Sequence, residues 1–138
     1  MESTYQHSID TKGRLFIPVR LREELGGVFY VTLSMEKCLS AYSRDSWERF
    51  KDKYRQMSQA NQKKMRPLFA MAAKCELDGQ GRINLSQSLR DYAGLKKNVA
   101  IVGVGVRVEF WDSDLYAKVA ADEMKPENIA AVFEELDF

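Results

Sequence analysis

Two short stretches carry the residue types best suited to chemistry: Asp10-Thr-Lys-Gly-Arg14 and, 68 residues further on, Asp78-Gly-Gln-Gly-Arg82. In each, a carboxylate and a guanidinium flank a glycine. Asp accepts bonds from its own downstream amides in a tight turn, and Gly tolerates positive φ. Asp10 is therefore expected to pair with Arg14, and Asp78 with Arg82, with Gly13 and Gly81 completing the two braced loops. An arginine braced by a carboxylate still presents N–H groups to a phosphate, or bidentately to guanine. Lys12, Arg14, Arg20 and Arg22 crowd the first loop and the segment after it. The second loop offers only Gln80, Arg82 and Arg90, with Lys74 nearby. If both copies touch nucleic acid, the first loop is expected to dominate phosphate contact.

Other chemistries find little support. His7 is the only histidine, and its neighbours Gln6 and Ser8 suit an exposed strand rather than a nucleophile's base. The cysteines at 38 and 75 form no Cys-x-x-Cys pair, so they read as two reduced thiols. No His, Cys and carboxylate set has metal-ligand spacing. Gly103-Val-Gly105 lacks a third glycine and leads into another strand, so it is a hairpin bend and not a dinucleotide loop. No catalytic residue, metal, cofactor or small-molecule substrate is expected, and the chain is not read as an enzyme.

The elements around the two loops repeat with them. At the same offset Leu15 meets Ile83, Ile17 meets Leu85, Leu21-Arg22 meets Leu89-Arg90, Gly26 meets Gly94 and Val31 meets Val99. After one extra residue, Tyr42 meets Trp111 and Trp47 meets Tyr116. Internal repetition at a fixed offset marks a duplicated structural unit. Each copy reads as a short strand, the Asp-x-x-Gly-Arg turn, a second short strand, a two-turn helix closed by Gly26 or Gly94, a hairpin and a longer helix. The longer helix of the first copy, Ser46 to Met57, lines up Trp47, Phe50, Tyr54 and Met57 on one stripe, with Arg49, Lys51, Lys53 and Arg55 opposite. Residues 59–73 are expected to be helical, with Pro67 as a start or kink. A final amphipathic segment sets Ile129, Val132, Phe133 and Leu136 against Glu127, Glu134 and Glu135.

A unit of about 60 residues with strands this short buries little surface alone, so the copies must pack on each other. We divide the chain into a first half (5–50), a helical connector (51–73), a second half (74–117) and an acidic helical tail (118–138). The expected fold is α+β and β-rich, a pseudo-symmetric barrel with flanking helices.

Length and composition agree with a soluble globular protein of one domain or two very small ones. The chain has 138 residues, 45% of them hydrophobic and 30% charged. The start shows no basic or apolar leader pattern, and no apolar run approaches the roughly 18 residues of a membrane span. The net charge of +1 conceals a separation. Residues 1–70 carry 13 Lys and Arg against 8 Asp and Glu, while residues 111–138 carry two lysines against eight acids. Such asymmetry suits a polyanion at one side and keeps the acidic tail away from it, with Phe133, Leu136 and Phe138 available for subunit contacts.

The first copy, from His7 to Arg22, resembles the opening motif of the MraZ family. The stretches Cys75 to Arg82 and Ile101 to Trp111 resemble that family's second half. The likeness spans Tyr5 to about Tyr116 and includes the duplication, with departures at Gly79, at Ile83-Asn-Leu-Ser86 and at Pro67. It implies two tandem AbrB-like swapped-hairpin halves forming one barrel, in a cytoplasmic, nucleoid-associated bacterial regulator of the division and cell-wall gene cluster. It further implies a homo-oligomeric ring on double-stranded DNA, binding short direct promoter repeats, mainly as a repressor and also of its own gene. The loops would face the DNA, which nominates Lys12, Arg14, Arg20 and Arg22, with Gln80, Arg82 and Arg90, as the DNA-binding residues. Two other readings stand beside it. One is an oligomeric protein-interaction module whose basic segment Arg44–Arg66 docks an acidic partner. The other is an AbrB-type antitoxin that neutralises a toxin with its acidic tail, which the full duplication disfavours.

Overall fold

Backbone pairing, rather than chain order, decides which parts of this protein lie together. The computed structural model describes residues 1–137; Phe138 lies outside them. The first repeat builds β1 (Thr4–Ser8), β2 (Arg14–Phe16), α1 (Val19–Leu25), β3 (Val28–Leu33), β4 (Leu39–Ser43) and α2 (Arg44–Arg55). Two short helices follow, α3 (Gln59–Lys64) and α4 (Arg66–Ala70). The second repeat builds β5 (Ala73–Glu76), β6 (Arg82–Asn84), α5 (Gln87–Ala93), β7 (Asn98–Gly103), β8 (Val108–Asp112) and α6 (Ser113–Glu123), and α7 (Pro126–Glu135) ends the chain.

All strand pairs are antiparallel, and most cross between the repeats. β1 pairs with β7, setting Tyr5 opposite Ile101, and β5 pairs with β3, setting Cys75 opposite Phe29. β4 pairs with β8 through Leu39 and Phe110, and β2 pairs with β6 through Leu15 and Ile83. Exchanging the two repeats leaves this pattern unchanged.

The sheet does not close into the expected barrel. Six strands form an open sheet in the order β1-β7-β8-β4-β3-β5, and β2 with β6 forms a separate two-stranded ribbon. The reason is local. Residues after β1 and β5 enter tight turns instead of extending the edge strands, and three-residue strands carry too few bonds to complete a ladder. A lone bridge between Ile9 and Leu15 ties the ribbon to the first edge.

The repeat's matched apolar positions fill the core beneath the ribbon. Leu15 with Ile83, Ile17 with Leu85, and Leu21 with Leu89 are all buried, alongside Phe29, Val31, Ile101 and Phe110. Burying each such side chain contributes about 1.5–3 kcal/mol. The other face of the sheet is covered by helices. Trp47 on α2 stacks on Tyr30 at 5.5 Å and on Phe50 at 5.3 Å, and α4 adds Phe69. Trp111 meets Tyr116 on α6 at 5.5 Å, the second repeat's version of the contact between Tyr42 and Trp47 at 5.9 Å.

Helix ends follow the sequence closely. Side-chain oxygens of Ser43, Ser86 and Asp112 accept from Ser46 N, Leu89 N and Leu115 N. Gly26 and Gly94 take positive φ at the ends of α1 and α5. The connector is two helices rather than one, and Pro67 opens the second. The bend after β7 spans 104–107, so β8 starts two residues later than the hydropathy pattern suggests. No helix among the described residues is long and apolar enough to cross a membrane.

Both thiols are buried. Burial, helped by Glu109, pushes Cys38 up to about 12, and burial alone raises Cys75 to about 11. Thiolate is the reactive form, so both are inert in the native state. An alkylating reagent is expected to leave Cys38 and Cys75 unmodified in native protein and to label both in denaturant, read by intact mass. Phe110→Ala is expected to cost about 3–5 kcal/mol in denaturant unfolding, because it opens a cavity at a fully buried ring.

Candidate nucleic-acid interface

The two loops have the same internal wiring. Asp10 Oδ1 accepts from the backbone N–H of Lys12 at 3.0 Å and of Arg14 at 2.9 Å, while Oδ2 accepts from Arg14 Nε at 2.6 Å. Asp78 Oδ1 accepts from Gln80 N at 2.8 Å and Arg82 N at 2.9 Å, and Oδ2 from Arg82 Nε at 2.9 Å. Gly13 N and Gly81 N donate to the Asp10 and Asp78 carbonyls, both at 3.0 Å. The glycines sit at φ +83° and +76°. Each guanidinium is therefore aimed through Nε, and its two terminal nitrogens take no part in the ion pair.

The same bonds set the acidity of the loops. The backbone N–H of Arg14, then its side chain and Lys12 N, holds Asp10 below the ordinary 3.8, against a smaller opposing effect of burial. Arg82 N does the same for Asp78, with Gln80 N next among the groups that lower it. Hydrogen bonding to the charged form is the cause in both cases.

Across the repeats, each loop is clamped by the other half. Ile17 N donates to the Gly81 carbonyl at 2.9 Å, and Leu85 N donates to the Gly13 carbonyl at 2.8 Å. Arg22 donates through Nε to Ile17 O at 2.6 Å and lies across Phe16, its Cζ 4.7 Å from the ring centre. Its guanidinium then fills the space against Gly81, where an added Cβ would stand 2.6 Å from Nη2. Arg90 mirrors it, donating through Nε to Leu85 O at 3.1 Å. A Cβ on Gly13 would meet Arg90 Cζ and Nε at 3.0 Å as well as the Leu85 carbonyl oxygen. Half-buried Arg22 and Arg90 thus each lock the loop of the other repeat.

The ribbon turns Leu15 and Ile83 into the core, so period-two alternation puts Arg14, Phe16, Arg82 and Asn84 together on its other face. Arg14 lies opposite Asn84 and Phe16 opposite Arg82. The His7 ring packs on Phe16, with centroids 5.0 Å apart. Phe16 and Asn84 escaped the sequence reading, although the alternation Arg-Leu-Phe and Arg-Ile-Asn signals them. His7 joins this face through the Asp10–Arg14 turn, which folds the end of β1 back along β2 at the Ile9–Leu15 bridge.

Lys12 and Gln80 are exposed on the loops. Arg20 lies apart, on a cavity of about 330 Å³ shared with Glu2, Glu23 and Glu24, whose carboxylates offset its charge. Among the described residues, no group of three or more His, Cys, Asp or Glu is placed to hold a metal ion.

Comparison with known proteins follows the same division into halves. A family model described as "MraZ protein, putative antitoxin-like" matches residues 1–66 and again 68–136. A protein of Alkaliphilus metalliredigens named Transcriptional regulator MraZ is 42% identical over 136 residues, covering 96% of this chain and 95% of its own. Proteins with the same name from Acetivibrio thermocellus and Carboxydothermus hydrogenoformans are 45% and 46% identical, over 91% and 81% of this chain and 91% and 80% of theirs.

Two measurements check the loop geometry. Gly81→Ala, forced into positive φ against Arg22, is expected to destabilise the protein by roughly 1–3 kcal/mol. Gly79→Ala, in open space, should stay within about 0.5 kcal/mol. Because the carboxyl pKa values are lowered, bracing should be fully present above pH 3.8 and disappear only as pH falls through the lowered values. The amide shifts of Gly13 and Gly81 in an NMR titration read this directly.

Proposed function

The chain belongs to the MraZ family, and from that membership we propose that it is a sequence-specific DNA-binding transcriptional regulator. The observation that carries this reading is the ribbon face. Two cross-clamped loops hold Arg14 and Arg82 on one two-stranded element, the kind of element that fits a major groove. Arg14, with Lys12 beside it, reads base edges. Together with Lys12, Gln80 and, more weakly, Arg82 position the backbone; Arg22 and Arg90 add charge beneath the loops they lock, and Arg20, set among Glu2, Glu23 and Glu24, contributes least.

Phosphate contacts this few give weak, salt-sensitive binding from a single chain. Several chains on one DNA supply the missing affinity through effective concentration. A homo-oligomeric ring whose subunits engage consecutive short direct repeats meets that need. We place those repeats in the promoter of the chain's own gene, within the bacterial division and cell-wall cluster. There the protein acts mainly as a repressor, including of itself, in the cytoplasm and on the nucleoid.

Gel shifts on the DNA upstream of the coding region, against a scrambled repeat, test this. Arg14→Ala is expected to lose about 1–3 kcal/mol of discrimination between the two DNAs. Lys12→Ala should weaken binding to both and lower the salt slope by about 0.9. Wild-type affinity and discrimination in Arg14→Ala would refute the loop assignment.

A further inference from the structure

The outward face of the ribbon is symmetric in its arginines and asymmetric in the residues beside them. Positions 16 and 84 correspond in the two repeats, yet one holds Phe and the other Asn. The antiparallel register sends each to the other repeat's arginine, so that Asn84 lies opposite Arg14 and Phe16 opposite Arg82. The ribbon therefore has two unlike ends. One sets an amide beside the guanidinium of the Asp10–Arg14 loop, and the other sets a phenyl ring beside that of the Asp78–Arg82 loop.

At the first end both side chains keep hydrogen-bonding atoms to spare. Arg14 commits Nε to Asp10 and holds its two terminal nitrogens outside that pair. Asn84 is exposed, and its amide bonds to no other described residue. The second end offers less. Phe16 has no polar atom on its side chain, and it packs with the Arg22 guanidinium at 4.7 Å and the His7 ring at 5.0 Å.

An amide and a guanidinium are the two side-chain forks that read purines in a major groove. Asn pairs bidentately with adenine N6 and N7, and Arg with guanine O6 and N7. Cross-strand partners stand about 4.5–5.5 Å apart at Cα, and successive bases of one strand are about 3.4 Å apart along the axis. Two forks so placed meet neighbouring base pairs, or pairs with one between them. A neutral amide adds little against phosphate, where Lys12 already supplies charge.

We propose that Asn84 is a specificity-determining residue of the DNA site. It reads an adenine next to the guanine read by Arg14, or one base pair beyond it. The Arg82 end, with Phe16 in the corresponding place, makes no such reading. The proposal rests on the DNA-binding function above, and it adds a second base and an orientation of the ribbon along the duplex.

The test is competition gel shifts with the DNA upstream of the coding region, each base pair of one repeat changed in turn, on the full chain and on Asn84→Ala. That variant alters an exposed, unbonded side chain and should keep the wild-type thermal melt. Changing one A·T pair beside the G·C pair that Arg14 reads should weaken wild-type binding about 5- to 150-fold. The same change should cost Asn84→Ala nothing, while its preference at the G·C pair persists. An adenine analogue with C–H in place of N7 at that position should weaken the wild type and leave Asn84→Ala unaffected. A variant that binds every sequence more weakly by one factor, or that keeps the wild-type profile, would overturn the assignment of Asn84 and leave that of Arg14 standing. A wild-type chain with no preference for its upstream DNA over a scrambled repeat would overturn the DNA-binding reading, and this proposal with it.

Discussion

The hydrogen-bonding edge of β3 is filled by β5, and that of β7 by β1, so neither repeat satisfies its own backbone. Everything else follows from that exchange. An unpaired buried strand edge costs as much as the bonds it lacks, and a half left alone would expose two such edges together with the floor of its core. Leu15 and Ile83, buried beneath the ribbon, come from different halves and pack only because the strands have crossed. The duplication is therefore one cooperative structure made from two similar segments.

The loops inherit their rigidity from this crossing. A turn closed only by its own Asp and Arg would be a surface ion pair on a mobile segment, which holds geometry poorly. Here the carbonyls of Gly13 and Gly81 are tied to the opposite repeat, and the guanidiniums of Arg90 and Arg22 close over the same glycines. Arg14 and Arg82 are then oriented by a frame whose parts cannot move separately. Preorganisation of this kind lowers the ordering cost of binding and spends little of the interaction energy on arranging the protein.

Much of this was legible in the residues. The Asp-x-x-Gly-Arg spacing announced both turns, and the offset of matched apolar positions announced the core, since Leu15 and Ile83, Ile17 and Leu85, Leu21 and Leu89, and Val31 and Val99 are all buried. Helix ends at Gly26 and Gly94 followed from cap chemistry. What the sequence concealed was non-local. The barrel failed to close because three-residue strands and two tight turns left the edges β1 and β5 apart, a matter of ladder length that hydropathy does not encode. Arg22 and Arg90 read as two more cations near a loop, whereas their guanidiniums lie against glycines 59 and 77 positions away. Phe16 comes to lie opposite Arg82 only because β2 of one repeat pairs with β6 of the other.

The reciprocal seating of Arg22 on Gly81 and Arg90 on Gly13 also constrains how the two copies could drift apart after duplication. A change at either arginine is felt at a loop encoded far along the gene, so the four positions are epistatic and cannot be inherited as independent choices. Positions 11, 12, 79 and 80 take no part in that seating, and there Thr-Lys in one copy stands against Gly-Gln in the other. The loop tips can therefore differ in charge between the two copies without disturbing the clamp of arginine on glycine that they share.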